Sequence, residues 1–128
     1  MAIIPTIDEQ TAIKEAKQYL KQFKDWNLIK KRAVIAYQIT GKRQDNSQAV
    51  YECTERLKII DHLNQDKAGL GTIVYLRFIK GYQMKRTLEE LENMGMNYSE
   101  RKARYLQREA LLKAYKYIPG NTTTIAKD

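Results

Sequence analysis

The chain has 128 residues, about the length of one domain with a single core, and 23 Lys and Arg against 15 Asp and Glu give it a net charge of +8. A lone cysteine, Cys53, excludes an intramolecular disulfide and a cysteine-rich zinc site, and the single histidine, His62, has no second histidine or spare cysteine to share a metal with. A basic surface favours phosphate backbones through counterion release.

Met1-Ala2-Ile3-Ile4-Pro5 carries no basic region ahead of its short apolar run, and no stretch approaches bilayer length, so the expected location is the cytoplasm, with no membrane contact. Thr6 followed three residues later by Glu9 reads as a capping box opening the first helix. Ile13, Ala16, Leu20 and Phe23 then recur at helical spacing to about Lys24, a narrow apolar seam with lysines beside it. At Asp25-Trp26-Asn27 the chain either kinks or continues, and the period resumes through Ile39, with the basic cluster Lys30-Lys31-Arg32 on this second helix.

Thr40-Gly41 predicts a helix end, and the polar run from Gly41 to Ser47 an exposed loop and the best internal boundary. Asp45, Asn46 or Ser47 can cap a third helix whose buried stripe is expected to be Val50, Cys53, Leu57 and Ile60. On that stripe Cys53 reads as an inert buried thiol, and His62 as a residue favoured near a helix C-terminus. Asn64-Gln65-Asp66 predicts a turn, with Asp66 capping a helix that contains Leu70, Ile73, Val74, Leu76, Arg77 and Phe78. Gly69 and Gly71 inside that pattern cost roughly 1 kcal/mol each relative to Ala. Lys80-Gly81-Tyr82 closes it.

Thr87-Leu88-Glu89-Glu90 fits another capping box, predicting a helix of about two turns that buries Leu88 and Leu91 and stops near Gly95. Asn97 with Glu100, or Ser99 alone, restarts the chain as a final helix. Ala103, Leu106, Ala110, Lys113 or Ala114, and Tyr117 give that helix a face to bury. Arg101, Lys102, Arg104, Tyr105 and Arg108 fall on its other faces. Two short helices joined by a turn, the second basic at its start, form a helix-turn-helix arrangement. The bland alternative is a helical hairpin with a solvated charged face. The turn-prone tail after Ile118 is expected to fray.

The segment from Leu63 to Ala114 resembles region four of the sigma factors. Its signatures are Tyr75-Leu76-Arg77-Phe78, Glu89-Glu90-Leu91, and the run from Tyr98 through Ser99-Glu100-Arg101-Lys102-Ala103-Arg104-Tyr105 to Leu112. More closely, it resembles the ArpU family of phage transcriptional regulators of Gram-positive bacteria and their prophages. The opening Ile4-Pro5-Thr6-Ile7-Asp8 and the Lys-rich helix with Tyr19-Leu20 extend the similarity over nearly the whole chain. The resemblance implies a sequence-specific DNA binder controlling phage genes, often late ones, beside host RNA polymerase. One departure is a spacing from Leu91 to Ser99 one residue longer than the usual motif.

The expected fold is all-α: a helical N-terminal region over residues 1–44, a helix-turn-helix domain over residues 45–118, and a flexible tail over residues 119–128. Ser99, Glu100, Arg101, Lys102, Arg104, Tyr105 and Arg108 are expected at the major groove or its phosphates, and Lys85 and Arg86, ahead of the motif's first helix, at the backbone of double-stranded DNA. The alternative function is an interaction module that contacts RNA polymerase or self-associates, with Ile13, Leu20 and Phe23 as a homodimer seam. An enzyme is not expected, because no nucleophile stands in register with a base, and neither is a metal or cofactor.

Overall fold

A computed structural model describes residues 5–126; the apolar start at residues 1–4 and the last two residues lie outside it. The fold is all-α, with a single parallel pairing of two short strands. In chain order the elements are β1 (Thr6–Ile7), α1 (Glu9–Lys21), α2 (Phe23–Thr40), α3 (Ser47–Asp66), α4 (Leu70–Val74) running into a π-helical turn (Tyr75–Ile79), α5 (Met84–Asn93), α6 (Glu100–Tyr117) and β2 (Thr124–Ile125).

Asp8, not Thr6, caps α1: its Oδ1 accepts from the Thr11 amide at 2.7 Å, and these bonds hold its carboxyl below the usual carboxylate range. Thr6 is taken up by β1, where the Thr124 amide donates to the Pro5 carbonyl at 2.9 Å and the Ala126 amide to Ile7 at 2.8 Å. Thr124–Ile125 in the tail expected to fray are therefore paired, and Asn121 ties it further by donating to the Tyr115 carbonyl. Helical bonding is interrupted at Gln22, three residues before the expected kink, and resumes as α2, which ends on Gly41 at φ 70°.

One core crosses the predicted boundary at residue 44. Ala12, Ala16 and Leu20 of α1 lie in the same apolar cluster as Ile59, Leu63, Leu70, Ile73, Leu106, Ala110 and Leu111. Helix α1 is thus part of that core and not of a separate extension, because it packs along α6. The expected dimer seam is consumed by the same packing, with Leu20 fully buried and Ile13 and Phe23 partly so.

The stripe of α3 is rotated from the expected one. Ala49, Cys53, Arg56, Ile60 and Leu63 face inward, while Val50 and Leu57 stay about two-fifths exposed. An arginine takes the place that a purely apolar pattern gives to leucine. Burial raises the pKa of the Cys53 thiol, which keeps it protonated and unreactive.

Helix α3 continues through Asp66, so Asp66 caps nothing; Gly69, at φ 87°, precedes α4 instead. The free amides at the start of α4 are met from α3: Asn64 Oδ1 accepts from Gly71 at 2.9 Å and Thr72 at 3.2 Å. Here α3 and α4 touch backbone to backbone, since a Cβ on Gly71 would overlap the Ile60 carbonyl oxygen. The π-helical turn closes with the Lys80 amide on the Tyr75 carbonyl at 2.9 Å, and Gly81 at φ 76° aims the chain into α5.

Candidate nucleic-acid interface

Helix α5 begins at Met84, one turn before the predicted capping box. Thr87 is therefore not a cap: it is fully buried inside the helix, its hydroxyl donating to the Gln83 carbonyl at 2.9 Å. Lys85 and Arg86 consequently lie in the first turn of α5, not ahead of it, and both are exposed. Met84 and Leu91 are buried, and Leu88 is only partly so.

The turn is closed by Gly95 at φ 87°, a conformation that suits glycine, with the Met96 amide donating back to the Leu91 carbonyl at 2.8 Å. Met96 and Tyr98 then pack into the space above Gly69, where a Cβ would crowd the Met96 sulfur and the Tyr98 hydroxyl. Ser99, not Asn97, caps α6: its Oγ accepts from the Lys102 amide at 3.1 Å. Glu100 follows in the first turn, where an acid suits the helix dipole.

Helix α6 is buried along one face. Its second half turns Ala110, Leu111, Ala114 and Tyr115 inward, and its first half Ala103, Leu106 and Gln107. Tyr117, expected in the core, is instead 38 % exposed, stacked on His62 and donating to Asp66 at 3.1 Å. Arg101, Arg104, Tyr105 and Arg108 recur at i, i+3, i+4 and i+7, and all are exposed. They form one outward stripe, with Lys102 beside it and its Nζ 5.6 Å from the centre of the Tyr105 ring.

Two of these cations have partners. Arg104 lies 3.5 Å from Glu100, and Arg108 lies 3.6 Å from Glu9 at the start of α1. Both pairs are solvated, so each holds its side chain weakly and can open to a competing anion. No ion pair engages Arg101, Lys102, Lys85 or Arg86 among the described residues.

Arg77, which the sequence pattern offers only as part of an apolar helix, connects the two halves of this surface. Its Nε donates to Gln107 Oε1 at 3.0 Å and its Nη1 to the Tyr82 carbonyl at 2.9 Å. Arg86 in turn stacks over the Tyr82 ring at 3.9 Å. Burial, and then the charge of Arg104, lower the pKa of Arg77. Arg86, Tyr82, Arg77 and Gln107 thus link the start of α5 to α6. An arginine inside an apolar run is a sequence signal for such a link. Lys85, Arg86, Tyr82 and Glu89 also line an open cleft at the start of α5.

Among the described residues no group of three or more His, Cys, Asp or Glu stands close enough to hold a metal ion, and no helix is long and apolar enough to cross a membrane. No family model, curated protein or solved structure matches the chain.

Proposed function

We propose that the chain is a DNA-binding transcriptional regulator, of phage or prophage genes in the cytoplasm of a bacterial host, that reads double-stranded DNA with α5 and α6. The observation that carries the reading is the exposed stripe of Arg101, Arg104, Tyr105 and Arg108 along the N-terminal half of α6, on the side turned away from the core. A helix about 10–12 Å across fits the major groove, and its N-terminal residues reach deepest. Arg101 and Arg104 are the base readers, because each can give bidentate hydrogen bonds to guanine once Arg104 leaves Glu100. Lys102 and Arg108 flank them at phosphate distance, and Lys85 and Arg86 hold the backbone where α5 crosses it. Glu100 pairs with Arg104 in the free protein and so holds that arginine weakly until DNA competes for it.

The test begins with selection of binding sites from random duplex DNA, followed by footprinting on the enriched site. Arg101→Ala with Arg104→Ala should weaken specific binding by about 10- to 100-fold per arginine, with the helical circular dichroism unchanged. Lys85→Ala with Arg86→Ala should weaken binding on every sequence and lower the salt slope by about 2. An unaltered footprint in the first double variant removes those arginines from the reading role. Failure of any sequence to enrich defeats the proposal as a whole.

A further inference from the structure

The outer helix of the fold leaves an apolar face uncovered. Helix α2 lies on α3, and Ala33 is its one buried residue, flanked by the partly buried Trp26 and Lys30 on the same side. On the opposite side, Asp25, Leu28, Arg32, Ile35 and Ile39 recur at spacings of three and four, a two-heptad stripe. Ile39 is 78 % exposed, more than any other large apolar side chain described, and Ile35 and Leu28 stand about half exposed.

The charges on this stripe select a partner and an orientation. A parallel pair of α2 helices would stack Asp25 on Asp25 and Arg32 on Arg32, which like charges oppose. An antiparallel pair about a two-fold axis between Ala33 and Val34 removes both clashes. Leu28 then meets Ile39 of the second copy, Ile35 packs on the aliphatic stem of Arg32, and Asp25 falls toward the C-terminal end of the other α2, which Lys42 and Arg43 follow. At the flanks Ile29 comes near Ala36, and Lys31 near Gln38. Among the described residues, no ion pair engages Asp25, Arg32, Lys42 or Arg43. The helix dipoles also oppose one another in this arrangement.

We infer that α2 pairs antiparallel with α2 of a second copy of the chain, through Leu28, Ile35 and Ile39. Three half- to mostly exposed apolar side chains on one helix make a small contact beside the roughly 800 Å² per partner of a stable interface. Self-association is therefore weak and concentration-dependent. The inference stands apart from DNA recognition, since a dimer that binds no DNA keeps it and defeats the other reading. If both hold, the two α6 helices are related by a two-fold axis and the selected site is a palindrome.

Sedimentation velocity on the full chain without DNA, from about 5 to about 500 µM, should show a monomer converting to a dimer with a dissociation constant of about 10–100 µM. Ile35→Glu should weaken association at least tenfold at unchanged helicity, and Arg32→Leu should strengthen it by a similar factor. In a Cys53→Ser background, a mixture of Leu28→Cys and Ile39→Cys chains should form the mixed disulfide faster than either chain cross-links with itself. A chain that stays monomeric throughout overturns the inference, as does a dimer indifferent to Ile35→Glu. Dominant Leu28→Cys self-linking overturns the orientation. Binding of the monomer to anionic vesicles through Ile35 would assign the face to a membrane surface and overturn it as well.

Discussion

The guanidinium of Arg56 is sealed where α1 gives way to α2 above α3. Its Nε donates to the Tyr19 carbonyl at 2.6 Å, Nη1 to the Glu52 carbonyl at 2.9 Å and to the Glu52 carboxylate at 2.6 Å, and Nη2 to Gln22 Oε1 at 2.8 Å. The group also stacks on the Tyr19 ring at 3.8 Å. Three of its four acceptors belong to the interruption at Gln22 or to the turn of α3 beside it, so one side chain fixes the angle between two helices. A buried charge of this kind is expensive to remove, because its hydrogen bonds to Tyr19, Gln22 and Glu52 are lost together. Arg56→Met should therefore lower the unfolding free energy by about 3 kcal/mol in urea titrations. Arg104→Ala, which removes an exposed pair, should change it by less than about 0.5 kcal/mol. Equal effects would show that Arg56 is solvated. A local pattern cannot place this arginine inside, since Tyr19 and Gln22 lie 37 and 34 residues away in sequence. Polarity alone turned the predicted stripe of α3 toward Val50 and Leu57.

Elements are legible from sequence where their ends are set locally. The end of α5 at Gly95 and the start of α6 at Ser99 both follow from residues within one turn of the boundary. Boundaries decided by another element are not. Thr87 has the spacing of a cap, but burial of Met84 draws α5 back one turn and leaves Thr87 bonding its own helix. Gly71 is the sharper case. Helix propensity counts it as a defect worth roughly 1 kcal/mol against Ala. The close approach of α4 to the Ile60 carbonyl reverses that sign, since no flexible side chain can yield there. Gly71→Ala should accordingly lower stability by about 2 kcal/mol, seen as a lower thermal midpoint. A raised midpoint would mean that α3 and α4 are farther apart than the Asn64 bonds to Gly71 and Thr72 imply.

At the scale of the molecule, the presentation of α6 depends on the N-terminal quarter of the chain. Periodicity identifies α1 as amphipathic, but it does not say which helix receives the apolar face, and a short seam fits a second copy as well as an internal neighbour. The neighbour is α6: Ala12, Ala16 and Leu20 share one core with Ala110, Leu111, Ala114 and Tyr115, and Arg108 reaches back to Glu9. The strand pairing of Thr6–Ile7 with Thr124–Ile125 then joins the segment before α1 to the segment after α6. Anchoring one face of α6 in this way turns the arginines of its first half outward. Cutting at the polar loop therefore removes one wall of the core, including a fully buried leucine whose transfer alone contributes about 1.5–3 kcal/mol, against a total stability of about 5–15 kcal/mol for a domain of ordinary size. A fragment of residues 45–126 should show no cooperative thermal transition by circular dichroism, while residues 5–126 melt in one step. If the fragment melted cooperatively with native helicity, α1 would be an accessory and the isolated helix-turn-helix a domain in its own right. Loss of the transition makes α1 part of the apparatus that presents α6.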